Sequence, residues 1–273
     1  MIETKTGAER ITEAFVQGEQ AFIPFMTAGY PTPDVAVGLA LALQEAGADI
    51  IELGVPYSDP LADGPTIQRA SAQALSHGVT IERTLLLAEQ MRQAGLTVPL
   101  ILFTYINPVL QYGPERIFAR MEAVGVDGIL IPDLPIEEAG EIEALADAYA
   151  RPLISLVAPT SEQRVEMIAS QAKGFLYCVS SLGVTGARAA LDSGVTAFLS
   201  KVRSHASVPV AVGFGISTAE QAHMVAPYSD GFIVGSALLE KIREAESYLA
   251  DEAKREEGFA IVKKFVQQLQ SRV

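Results

Sequence analysis

Short apolar, β-branched runs recur along the chain, with stretches of helical spacing between them. Eight of these runs are predicted as strands: Ala21–Met26, Asp49–Leu53, Leu100–Phe103, Gly128–Ile131, Leu153–Val157, Gly174–Val179, Val208–Val212 and Gly231–Val234. Most are apolar at consecutive positions, which suits strands covered on both faces in a parallel sheet. The segments between them carry helix signals. Asp34 stands where it can cap Val35–Ala46, which ends at Gly47, and Pro114 opens Glu115–Val124, which ends at Gly125. Glu137–Ala150 runs up to Pro152, Ser161 precedes Glu162–Ser170, and Gly194–His205 precedes the seventh strand. Glu9–Gln17 and Glu256–Leu269 are predicted as extra helices at the two ends. Eight strand–helix repeats with no linker-like break predict a single domain over residues 1–273, a (β/α)8 TIM barrel. A doubly wound open sheet is the competing fold, and no dinucleotide fingerprint supports it.

Composition narrows the partners. Of 273 residues, 49% are hydrophobic and 19% charged, enough apolar material for a full core. Twenty Lys and Arg against 33 Asp and Glu give a net charge of −13, which argues against nucleic acid or anionic membrane. The single cysteine, Cys178, excludes an internal disulfide and a thiolate zinc site, and it reads as a small core residue. Met1 to Arg10 has no apolar signal region, and no apolar run approaches the ~20 residues of a membrane span. The expectation is a cytoplasmic protein.

In such a barrel, chemistry sits where strands end and βα loops begin. The polar residues at those ends are Thr27, Glu52, Asp59, Asp63, Tyr105, Asn107, Asp133, Thr160, Ser180 and Thr185. Glu52 lies within the apolar run Ile50-Ile51-Glu52-Leu53, where desolvation raises a carboxyl pKa toward neutrality and suits it to proton transfer. Asp59 and Asp63 lie in a Gly/Pro-rich loop, where an aspartate is ordinarily a cap or turn former. Tyr177 has the alternation of an inward residue and either meets a substrate or fills the barrel. Late in the chain come Gly183-Val184-Thr185-Gly186, Gly213-Phe214-Gly215-Ile216-Ser217 and Gly235-Ser236, the last opening a helix. Glycine turns and a helix N-terminus at these positions favour a phosphate group. No lysine falls at the C-terminal end of a strand, which disfavours Schiff-base chemistry. His77, His205 and His223 fall in helical stretches without ligand spacing, so no metal is expected. A carbon–carbon lyase built on these groups would need a substrate that carries its own electron sink.

Taken with Pro24-Phe25-Met26-Thr27-Ala28-Gly29-Tyr30-Pro31, the stretch Glu52–Pro65, Ile131-Pro132-Asp133-Leu134-Pro135 and Val234-Gly235-Ser236, these motifs resemble the tryptophan synthase alpha chain family, in order and over essentially the whole chain. The run Asp59-Pro60-Leu61-Ala62-Asp63-Gly64 is the most specific part. The resemblance implies retro-aldol cleavage of indole-3-glycerol phosphate to indole and glyceraldehyde 3-phosphate. It implies that Glu52 moves the protons, that Asp63 accepts the indole N–H, and that Tyr177 positions them. Thr185 would tie the loop after strand six to Asp63. Phe25, Leu102, Leu130, Phe214 and Ile233 would form the indole slot, and Gly186, Gly215, Gly235 and Ser236 would hold the phosphate. The implied partner is a beta chain in an alpha2-beta2 heterotetramer, docked through Asp59, Pro60, Asp133 and Pro135. The pyridoxal phosphate belongs to that partner, and this chain carries no cofactor. Ser181 departs from the family, where many members have an arginine. A binding subunit that only activates its partner, or another phosphate-binding barrel enzyme, would be the other readings.

Overall fold

The computed structural model describes residues 5–16, 19–159, 162–179, 193–213 and 215–271. Its parallel strands close into a barrel in sequence order: β1 (Ala21–Thr27), β2 (Ile51–Gly54), β3 (Leu100–Phe103), β4 (Gly128–Leu130), β5 (Leu153–Val157), β6 (Leu176–Val179), β7 (Val210–Gly213) and β8 (Gly231–Val234). Pairing of β8 with β1, from Ala21 opposite Gly231 to Pro24 opposite Val234, leaves no open sheet edge. Outside lie α2 (Pro33–Glu45), α3 (Pro65–Ser76), α4 (Ile81–Gln93), α5 (Ile106–Tyr112), α6 (Pro114–Val124), α7 (Gly140–Ala148), α8 (Glu162–Gln171), α9 (Ser193–His205), α10 (Ala219–Val225), α11 (Ser236–Glu244), α12 (Glu246–Leu249) and α13 (Arg255–Leu269).

The register sets Phe25, Glu52 and Ile101 at one level, and it aligns Phe103 with Leu130 and Leu130 with Ile154. Side chains alternate between faces, so this one set points into the barrel. Ile23, Ile50, Ile101, Leu130, Ile154, Phe175, Ala211 and Ile233 fill it. The alternate positions, among them Leu53, Leu102, Ile129, Leu176, Val212 and Phe232, pack outward with the helices. Cys178 is a buried member of that outer layer.

The N-terminal helix α1 (Gly7–Glu13) plugs the far end of the barrel. Its Ile11 is fully buried in the inner cluster. A capping box between Thr6 and Glu9 starts the helix. Gly7 allows close approach, since a β-carbon there would lie 2.1 Å from the Asp127 carbonyl oxygen. Three aspartates repeat one device at this end. Asp49 before β2 accepts from Phe22 N, Asp127 before β4 from Leu100 N, and Asp230 before β8 from Val210 N, at 2.8, 2.8 and 2.9 Å. Each carboxylate satisfies a strand N–H at its exposed start.

Several boundaries differ from the sequence reading. Asp49 is a pre-strand residue, because its carboxylate faces the backbone of β1. At α2 the N-cap is Thr32, with Pro33 in the first turn, and Asp34 instead accepts from the Thr32 hydroxyl. The predicted helix Glu137–Ala150 is a 3-10 turn, Ile136–Glu138, followed by α7, with Gly140 at the junction. The N-terminal helix ends at Glu13, short of Gln17.

Candidate active site

Glu52 stands on the inner face of β2 with 1% of its surface exposed. Its Oε1 is buried and has no hydrogen-bond partner among the described residues. A carboxylate held there loses its hydration without compensation, and burial pushes the pKa from 4.5 up to about 8. The group is therefore an acid at neutral pH. The paired strands β1 and β3 bring Phe25 and Ile101 to its level.

Asp63 sits in the loop between β2 and α3. Gly64 is the N-cap of α3 and Pro65 opens its first turn, so the chain must leave the loop directly after Asp63. The Asp63 backbone carbonyl accepts from Gln68 Nε2 at 2.8 Å. Burial raises the Asp63 carboxyl above its ordinary value, and the nearby Tyr105 hydroxyl offsets only part of that rise.

Tyr177, on the inner face of β6, sees both acids. Burial first, and then the charges of Glu52 and Asp63, raise its hydroxyl well above the usual phenol range. The three groups singled out in the sequence thus converge. Gly213 makes room for the tyrosine, because a β-carbon there would stand 2.7 Å from ring Cε1. Gly54 does the same for Phe25, whose Cζ would lie 2.5 Å from a β-carbon at Gly54.

The apolar slot is mostly where the sequence put it. Phe25, Leu130 and Ile233 face inward and are buried. Leu102 does not line the slot. It points outward into the helix layer, while its neighbours Ile101 and Phe103 face the barrel interior. The residue the sequence reading missed is Phe103, whose ring meets Phe25 edge-on at 5.2 Å and 79°. Counting by twos from the partner of Glu52, Ile101, finds it.

Across the mouth, Gly235 is the N-cap of α11, with no side-chain cap bond, and Ser236 begins the helix. That leaves backbone N–H groups free for an anion. Gly235 packs beside Phe25, 3.6 Å from its Cβ to a β-carbon position. Gly215 has φ +71°, a conformation that favours glycine. Thr160, Ser180, Ser181, Thr185, Gly186 and Phe214 lie outside the described residues.

Asp59 is exposed and Pro60 half-buried on the loop that carries Asp63, next to Leu61, which is 85% exposed. Asp133 and Pro135 are half-buried on the turn after β4. Asp133 Oδ1 accepts from Ile106 N at 2.9 Å, tying that turn to the start of α5. Beside it, a cavity of about 540 Å³ runs between the turn, β5 and α8, lined by Ala62, Pro135, Leu156, Arg164 and Ile168.

A family model described as "Tryptophan synthase alpha chain" matches residues 11–270. The tryptophan synthase alpha chain of Halalkalibacterium halodurans is 55% identical over 258 residues, covering 94% of this chain and 97% of that protein. That of Geobacillus kaustophilus is 58% identical over 239 residues, covering 88% and 89%. Among solved structures, the tryptophan synthase subunit alpha from Legionella pneumophila superposes with a TM-score of 0.83 at 34% identity, covering 95% and 98% of the two chains. Tryptophan synthase from Mycobacterium tuberculosis superposes with a TM-score of 0.84 at 34% identity, covering 98% of each. With a closed eightfold barrel, a buried acid at its mouth and this likeness over nearly its full length, the chain belongs to the tryptophan synthase alpha chain family.

Proposed function

We propose that Glu52 and Asp63 carry the family's reaction in this chain, cleavage of indole-3-glycerol phosphate to indole and glyceraldehyde 3-phosphate. The enzyme is a carbon–carbon lyase of tryptophan biosynthesis. The observation that carries the assignment is the buried Glu52 carboxyl, whose Oε1 has no hydrogen-bond partner among the described residues and whose burial keeps it protonated near neutrality. Glu52 gives its proton to indole C3, which turns the ring into an indolenine cation and leaves Glu52 a carboxylate. Asp63 accepts a hydrogen bond from the ring N–H, whose positive charge it stabilises. Glu52 then takes the proton of the side-chain hydroxyl next to C3. The C–C bond breaks, its electrons restore the indole ring, and the hydroxyl carbon becomes the aldehyde. Glu52 ends protonated, as it began.

Tyr177 positions the two acids, and Phe25, Phe103, Leu130 and Ile233 hold the ring. Phe214 joins the ring slot, and Gly186, Gly215, Gly235 and Ser236 take the phosphate. The partner is a beta chain, which binds the pyridoxal phosphate and receives the indole; this chain needs no cofactor of its own. Asp59, Pro60, Asp133 and Pro135 form the docking surface. The same reading takes residues 1–273 as one cytoplasmic domain.

Purified chain supplied with indole-3-glycerol phosphate is expected to release indole, faster with a beta chain present. Partner activation without any lyase turnover by the parent chain would replace this reading with that of a binding subunit.

A further inference from the structure

Two helices that start at the barrel mouth pack on β1: α3, which follows the loop carrying Asp63, and α11, whose uncapped start is the phosphate subsite. Thr66 stands in the first turn of α3, and Glu240 lies one turn beyond Ser236 in α11. The Glu240 carboxylate joins the two helices. Its Oε1 accepts from the Thr66 hydroxyl at 2.9 Å and from Arg69 Nη2, and its Oε2 accepts from Arg243 Nε at 2.7 Å. Arg69 Nη2 also donates to Thr66 Oγ1 at 3.3 Å, which closes a ring of three groups. A second tie lies farther along α3, where Gln73 Nε2 donates to Glu246 on α12 at 2.6 Å and to the Pro31 carbonyl at 3.1 Å. Between the ties the interface is not filled: a cavity of about 90 Å³ is lined by Tyr30, Thr66, Gln73, Glu240 and Glu246. Close packing therefore does not set the spacing of the two helix starts, and the hydrogen bonds to Glu240 do.

From these contacts we infer that Glu240 is a positioning residue, a brace that fixes the phosphate-binding start of α11 relative to the loop that delivers Asp63. The inference rests on the lyase reading above, with Asp63 acting at the ring and α11 holding the phosphate. A substrate gripped at its phosphate meets the β2–α3 loop correctly when the two elements keep their separation, and a misplacement of about 1 Å costs as much as 10²-fold in rate. Glu240 lies beyond the first turn of α11 and acts through the helix. The side chains of Glu240, Arg69 and Arg243 are 33%, 58% and 55% exposed, and ion pairs so exposed contribute little to stability. The brace thus serves alignment more than folding.

The test measures indole release, the inhibition constant of glycerol 3-phosphate as a probe of the phosphate subsite, and the melting midpoint. The proteins are the complete chain and its Glu240→Ala, Glu240→Gln, Thr66→Val, Asp63→Asn and Thr66→Val/Glu240→Ala variants. Glu240→Ala is expected to lower kcat roughly threefold to tenfold, with the glycerol 3-phosphate constant and the melting midpoint close to those of the parent. Glu240→Gln keeps an oxygen acceptor for the Thr66 hydroxyl and is expected to recover most of the lost turnover. Thr66→Val is expected to lower kcat by itself and to add nothing to Glu240→Ala, because both remove the same bond. Unchanged kcat in Glu240→Ala overturns the brace. Weaker binding of glycerol 3-phosphate with kcat intact also overturns it, since Glu240 would then support the phosphate subsite alone. Losses that add in the double variant, or a fall in kcat that follows a fall in the melting midpoint, overturn it as well. Full turnover by Asp63→Asn overturns the role of Asp63 instead, and a parent chain that releases no indole overturns the lyase reading and the brace with it.

Discussion

A β-carbon on Gly213 would stand 2.5 Å from the Tyr177 hydroxyl oxygen. The glycine on β7 is thus what lets the tyrosine of β6 lie across the barrel toward Glu52 and Asp63. Gly213→Ala is expected to push the ring off this position and lower kcat/KM at least tenfold. Overpacking of this kind costs about 1–3 kcal/mol of stability. Steady-state indole release and a thermal melt check both parts. Unchanged kinetics would mean that the position of Tyr177 does not matter to turnover.

Replacing Glu52 separates chemistry from stability. Glu52→Gln is expected to lose about 10²–10⁴-fold in kcat, the usual share of a general acid–base group. It is also expected to be more stable than the parent at alkaline pH. The unfolded chain ionises this glutamate near 4.5, whereas the folded chain resists until about 8. The parent therefore pays no penalty below pH 4.5, a growing one between 4.5 and 8, and a constant one above, on the order of a few kcal/mol. Melting temperatures of the two proteins should converge near pH 4.5 and diverge with the variant ahead at pH 9. Parallel curves would show that burial does not penalise the Glu52 carboxylate.

The same pKa sets the alkaline side of the rate profile. Protonated Glu52 is the starting form of the reaction, so kcat/KM is expected to fall as pH rises through about 8. Activity that continues to climb to pH 10 would be incompatible with Glu52 as the acid.

Leu102 and Phe103 supply a paired test of the slot. Phe103→Ala is expected to raise KM for the indole substrate, because it removes the ring packed edge-on to Phe25. Leu102→Ala is expected to cost about 2–5 kcal/mol in stability through a cavity under the helices, with KM held. The reverse pattern, measured by steady-state kinetics and denaturant melts, would mean the register of β3 is shifted by one residue.

That pair also shows what the sequence carried and what it hid. Strand positions were legible because β-branched runs alternate with helical spacing, and Glu52 was legible because a carboxylate inside such a run has to face something. The facing of Leu102 was not, because a strand buried on both sides has no polar alternation to mark its inner face. Only the register, tied to Glu52 through Ile101, resolves it. Asp63 reads locally as an ordinary loop aspartate, and only the family resemblance singled it out, because nothing in a Gly/Pro-rich loop marks which side chain turns toward the barrel mouth. Gly213 was legible only as part of a glycine turn that favours phosphate, and neither it nor Gly54 signalled that it makes room for an aromatic ring, since that depends on a residue of the neighbouring strand.

At the opposite end of the barrel, Asp127 holds the fold rather than the chemistry. Its carboxylate, 4% exposed, accepts from Arg10 Nε and Arg92 Nη2 at 2.7 Å each and from Leu100 N at 2.8 Å. The bonds join α1, α4 and β3 at the entry to β4. Asp127→Ala leaves two partly buried guanidinium groups and a strand N–H without their acceptor. Breaking such a network costs about 3–5 kcal/mol, far more than an exposed ion pair is worth. Arg10→Ala removes one partner only, from a side chain that is 32% exposed, and is expected to cost less. Both substitutions lie on the far side of the inner core from Glu52, so kcat at low temperature is expected to match the parent while the denaturation midpoint falls. A drop in kcat without a drop in stability would place Asp127 in the reaction and contradict the division between the two ends of the barrel.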